Sequence, residues 1–236
     1  MSHSVLPHSV LIHTGPMALL ADSQLLFGGV KGEPLSEWVV AQIAVRNPPE
    51  SYSVPGGAIY IGAANGDASE FYQMAVDICR PWGVDDVVHV KNAMQLSALQ
   101  VEDIAVVILA GGDVGLGWDF LSQPTVRAWL DSYTRTNGLI IGISAGAIHL
   151  ASTFSKAHNR SIHFLAYCSE NIAAHEESED WPSVRSWQQC ADDVQSLFIG
   201  LPFGGGLLVE SSTTRLTEAN PVGKGYKVFE KTTPTS

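Results

Sequence analysis

Ten residues in the middle of the chain, Leu139-Ile140-Ile141-Gly142-Ile143-Ser144-Ala145-Gly146-Ala147-Ile148, restrict the possible folds more than any other stretch. The apolar run before Ser144 reads as a buried strand, and the small residues after it suit a helix. A strand, a sharp turn carrying serine with glycine two residues away on each side, and a helix make up a nucleophile elbow. The glycines let strand and helix approach closely. The turn lifts the hydroxyl out of the sheet, and the helix N-terminus favours negative charge beside it. Ser144 is therefore the candidate nucleophile.

The rest of the chain fits a sheet that could carry such an elbow. Short apolar runs at 23–27, 58–62, 86–90 and 104–110 are separated mostly by helix-length stretches. That alternation predicts an α/β three-layer sandwich, a mostly parallel central sheet with helices on both faces. Phe71, Met74, Ala75 and Ile78, three and four residues apart, predict a helix over 69–82 that Gly83 ends. A second is expected over 123–136, starting near Pro124, with Gly138 marking its exit. Residues 197–209 are apolar and glycine-rich, and 225–229 alternate, so a small antiparallel C-terminal addition is expected. Residues 178–193 mix acids with Trp181 and Trp187 and read as a surface helix. With no repeat and 236 residues at 45% hydrophobic content, one core suffices. Residues 1–236 are read as a single domain, with 1–20 as a loosely attached N-terminal segment.

Charge and cysteine content exclude several classes. A net charge of -11 with 13 scattered basic residues argues against nucleic-acid binding. Cys79, Cys168 and Cys190 lack CxxC spacing and read as reduced, buried small hydrophobes. Residues 1–15 hold His3, His8 and His13 but no basic stretch followed by an apolar one, so no secretory signal is read. No apolar run approaches the roughly 20 residues needed to span a bilayer. A cytoplasmic protein without membrane partners is the expectation.

A serine hydroxyl needs a base, usually an imidazole held by a third group. Four histidines follow Ser144: His149, His158, His163 and His175. The α/β-hydrolase order of Ser, acid, then a late His finds no base here, because no histidine lies beyond His175. His149 lies on the helix leaving the elbow and reads as packing. His158 and His163 flank a polar stretch without an acid or Cys at ligand spacing, so they read as surface residues and no metal is expected. His175 ends a short strand-like run and precedes Glu176 and Glu177, either of which could orient it or hold substrate. Glu210 closes Gly206-Leu207-Leu208-Val209, and a carboxylate ending a buried strand is costly unless paired. Pairing with His175 and solvation at the strand end both fit that spacing. Oxyanion donors would be the Ala145 N–H and that of Gly111 or Gly112, where the 104–110 run ends. Asp113 then either binds a substrate amine or caps a turn, and Asn65, ending a third strand, borders the same pocket.

These residues together resemble the dipeptidase E and cyanophycinase family of serine peptidases, on the class I glutamine amidotransferase-like fold, from about residue 25 to 229. The landmarks are Leu26-Phe27-Gly28-Gly29, Ile61-Gly62-Ala63-Ala64 with Gly66-Asp67, Ala110-Gly111-Gly112-Asp113, Gly142 to Ala147, Ala174-His175 and Gly206 to Glu210. The resemblance implies Ser144 as nucleophile, His175 as base, Glu210 as the acid orienting it, and Gly112 and Ala145 as oxyanion donors. Gly111, Asp113, Asn65 and Glu176 would hold a small peptide or amide, with no cofactor. Amidotransferases proper carry Cys at the elbow, so Ser144 points to a hydrolase. Ala173-Ala174 before His175 and Glu176-Glu177 after it depart from the cyanophycinase pattern, so cyanophycin is not carried over as substrate. Residues 32–55 exceed what the family fold requires and are read as a lid or an interface, with a homodimer among the expectations. A non-catalytic binding relative and a specialised amidase or acyl transferase are the alternatives.

Overall fold

This computed structural model describes residues 15–27, 34–46, 56–156, 160–189, 197–213 and 215–231. In chain order the elements are β1 (Met17–Leu20), α1 (Gln24–Phe27), α2 (Pro34–Arg46), β2 (Gly57–Ile61), α3 (Ser69–Cys79), β3 (Val87–Val90) and α4 (Ala93–Ser97). Then come β4 (Ile104–Leu109), α5 (Val114–Leu121), α6 (Pro124–Arg135), β5 (Leu139–Ile143), α7 (Ala145–Leu150), β6 (Thr153–Lys156) and β7 (Arg160–His163). The last are β8 (Asn171–Ala174), α8 (Pro182–Gln189), β9 (Leu197–Leu201), β10 (Gly205–Val209), β11 (Asn220–Gly223) and β12 (Lys227–Glu230). The main sheet has seven strands in the order β11-β10-β1-β5-β4-β2-β3, parallel from β1 to β3. β10 and β11 join its edge antiparallel. A second sheet, β12-β9-β8, packs beside it, and β6 and β7 form a hairpin.

The central strands are apolar throughout because both faces are covered. With side chains alternating along a strand, Ile59, Val107, Leu109 and Ile140 face α5, α6 and α7, against Phe120, Leu130, Tyr133 and Ile148. Ala58, Tyr60, Val106, Ile108 and Ile141 face the opposite layer, where Leu35, Val39 and Ile43 of α2 and Ala75 and Ile78 of α3 close the core. The predicted three-layer sandwich is thus the observed one. α3 ends where a 3-10 turn over Arg80–Trp82 runs into left-handed Gly83, and α6 keeps Pro124 in its first turn.

Four expectations change. The 23–27 run is helical, because the Asp22 carboxylate accepts the Gln24 N–H and starts a turn, while the strand is Met17–Leu20. Residues 17–20 are therefore no loose appendage but a fully buried strand between β10 and β5. Within 32–55, α2 is part of the helical layer, and Arg46 at its end donates to the carbonyls of Ile104 and Thr136 at 2.8 and 2.7 Å. Residues 28–33 and 47–55 lie outside the described residues. The 178–193 helix is α8, and Trp181 and Trp187 are buried with Phe198 rather than displayed. Among the described residues no helix is long and apolar enough to cross a membrane.

Candidate active site

Ser144 sits between β5 and α7 with φ 50° and ψ −110°, a conformation that costs a non-glycine residue about 1–3 kcal/mol. The elbow's glycines explain how the chain tolerates it. A Cβ on Gly142 would lie 2.8 Å from the Ala147 nitrogen, and one on Gly146 would lie 2.2 Å from the Leu109 carbonyl oxygen. Only bare backbone permits α7 to start so close to β5 and β4. The Ser144 N–H is fixed by the Leu20 carbonyl at 2.8 Å, which ties the turn to β1.

The hydroxyl has a partner. Ser144 Oγ and His175 Nε2 are 2.9 Å apart, within hydrogen-bond reach although their residues are 31 positions apart. β8 carries His175 to that place. It runs parallel to β9, and beyond its end His175 takes φ 48° while its N–H donates to the Leu201 carbonyl at 2.8 Å. The other histidines stand elsewhere. His149 is buried, its Nε2 2.8 Å from the Val114 carbonyl oxygen, and burial lowers its pKa from the usual 6.5. His163 ends the β7 hairpin, His158 lies outside the described residues, and no cluster of three metal-ligating side chains occurs among those described.

Glu210 is not beside His175. β1 pairs Leu20 with Ile143 of β5 and with Gly206 of β10, and it pairs Met17 with Val209. Ser144 is thus one step above Leu20, whereas Glu210 is one step below Met17, a separation of roughly 16 Å along the strands. At that foot of the sheet Glu210 accepts the Trp38 indole N–H at 2.5 Å and the Gln42 amide at 3.1 Å, both from α2. The neighbouring Ser211 hydroxyl bonds Asn137, in the turn that leads into β5. The expected third member of the triad is instead the anchor of α2, because β10 runs antiparallel and ends at the wrong edge.

Two other candidates bond to the helices that follow them. Asp113 caps α5 by accepting the Leu116 N–H at 2.8 Å, and Glu176 accepts the Ser183 N–H and hydroxyl at 2.9 and 2.5 Å at the start of α8. Neither lines the pocket at Ser144. Gly111, Gly112 and Asn65 do line it. Gly112 has φ 138°, and a Cβ there would lie 2.1 Å from the Ala64 carbonyl oxygen, so only glycine fits. The Ala145 N–H precedes the first helical bond of α7, from the Ile148 N–H to the Ser144 carbonyl at 3.1 Å, and is one of the helix's unpaired amino-terminal donors.

Glu177 has a different setting. Its Oε1 accepts the Phe203 N–H at 2.9 Å, while its Oε2 is buried without a hydrogen-bond partner. Phe203 and His175 line the same pocket, and the second ring nitrogen of His175 has no hydrogen bond among the described residues. The pocket has a volume of about 440 Å³. Its wall of Tyr60, Phe71, Met74, Ala75 and Ile78, together with Asp22, was not anticipated from the sequence, although the spacing of the α3 residues had marked them as one helix face.

No family model matches this sequence, and no curated protein matches it. Solved structures do. One is a peptidase from an acI-B1 Actinobacterium, with a TM-score of 0.67 at 16% identity over 92% of this chain and 97% of that one. Another is a candidate peptidase E protein from Listeria monocytogenes EGD-e, with a TM-score of 0.58 at 11% identity over 89% and 98%. The chain has the fold of these peptidase structures across nearly its whole length.

Proposed function

We propose that this protein is a serine peptidase or amidase that cleaves a small peptide or amide through an acyl-enzyme on Ser144. The observation that carries the reading is the 2.9 Å contact between Ser144 Oγ and His175 Nε2 at a strained elbow opening on a pocket. The peptidase names of two proteins with this fold support it. His175 takes the Ser144 proton as Oγ attacks the carbonyl carbon, and the resulting oxyanion lies against the Gly112 and Ala145 N–H groups. His175 then returns that proton to the leaving amine. Water adds to the ester with His175 again accepting its proton, and Ser144 recovers a proton when the acid departs.

The carboxylate that supports the imidazolium in this reading is Glu177. It lies two residues beyond His175, one of its oxygens is pinned at Phe203, and the other is buried with nothing to bind. A buried carboxylate oxygen without a donor is unfavourable, and a cationic imidazole nearby would relieve it. No hydrogen bond joins the two side chains in the resting structure, so Glu177 is assigned as a positioning residue that engages when His175 is protonated. Ser144→Ala, compared with wild type on a library of short peptides, is expected to lose all turnover. Wild-type rates from that variant would exclude the reading.

A further inference from the structure

The pocket beside Ser144 has a consistent chemistry. Phe71, Met74, Ala75 and Ile78 of α3 line it together with Ile108 of β4 and Ala110 just beyond that strand, and no Lys or Arg lines it among the described residues. Its only carboxylate among the described residues, Asp22, turns both oxygens to backbone, with Oδ1 on the Gln24 N–H at 2.8 Å and Oδ2 on the Gly204 N–H at 2.5 Å. A substrate carboxylate placed there would lose water, meet no cation among the described residues and lie near a like charge. An apolar side chain would gain from leaving water. The leaving amine must stay at His175, which protonates it, so the remaining space, between α3 and the end of β4, belongs to the acyl side.

On the serine peptidase reading, we propose that this pocket selects a large apolar side chain, of the size of Leu, Met or Phe, on the residue whose carbonyl Ser144 attacks. Aminocoumarin amides differing only in the acyl residue test it, with a small fluorophosphonate applied in parallel to report whether Ser144 reacts. The expected result is kcat/KM for Phe or Leu about 100-fold or more above that for Asp or Lys. Met74→Arg, on the half-buried face of α3, is expected to lower the Phe value at least about 10-fold and raise the Asp value. An enzyme whose Ser144 takes the probe but which shows no such preference, or cleaves none of the amides, overturns the pocket assignment and leaves the nucleophile standing. A Ser144 that never reacts overturns both.

Discussion

The two ends of the central sheet hold the residues that matter here, and they are built to opposite rules. At the upper end, where β5 stops and His175 of the neighbouring β8 sheet reaches it, Ser144 and His175 both have positive φ, and the Glu177 Oε2 is left without a donor. At the foot, Glu210 has both oxygens occupied by α2, and Arg46 of the same helix bonds three backbone carbonyls. A buried acceptor without a donor at one end, and a carboxylate with both oxygens bonded at the other, is the distribution expected when function occupies the first and stability the second; positive φ does not separate them, since Asn137 at the foot has φ 61°. A glutamate at the end of a buried strand can belong to either, and strand direction decides which.

Substitutions at each end can break this contrast. The largest effect is expected for Ser144→Gly, which removes the hydroxyl and suits φ 50°. Activity should fall about 10⁴-fold or more while stability rises by about 1 kcal/mol, read by peptide turnover and by denaturant melts. A loss of stability would mean that the elbow is not strained. Glu177→Gln should come next, lowering kcat/KM about 100-fold through kcat with KM little changed, since the carboxylate that positions the imidazole is gone. A wild-type kcat would reduce Glu177 to a structural group.

Glu210→Gln should do the reverse, leaving kcat/KM within about twofold of wild type and costing about 1–3 kcal/mol as the charged bonds to Trp38 and Gln42 weaken. A collapse of activity without loss of stability would restore Glu210 to the site. The smallest effect concerns His149, whose pKa burial lowers, so the unfolded chain binds its proton first as pH falls. The stability it contributes is present above the unfolded value of 6.5 and is lost as pH drops through the lower folded value. His149→Gln should flatten that acid limb in melts followed across pH.

Much of this arrangement is legible in the sequence. The elbow is, because Gly142, Ser144 and Gly146 leave few backbones that fit, and so is the parallel sheet, because its strands are continuously apolar. His175 emerges by chain order. Glu210 misleads because an apolar strand ending in a carboxylate reads the same whichever way the strand runs, and β10 is antiparallel to β1. β1 itself is only four residues long and lies next to the 23–27 run, which a carboxylate at Asp22 turns into a helix. For Asp113 and Glu176 the sequence leaves capping and binding open, since a capping acid and a ligand-binding acid occupy the same kind of loop, and the structure shows the N–H groups that each accepts.

The central claim is that Ser144 is an activated nucleophile served by His175. Mass-spectrometric mapping of the site labelled by a fluorophosphonate, in wild type and in His175→Ala, tests it most directly. The account predicts a single adduct on Ser144 in the wild type and a rate of labelling at least about 10³-fold lower in the variant. An adduct on any other residue, or equal labelling of Ser144 in both proteins, would contradict it.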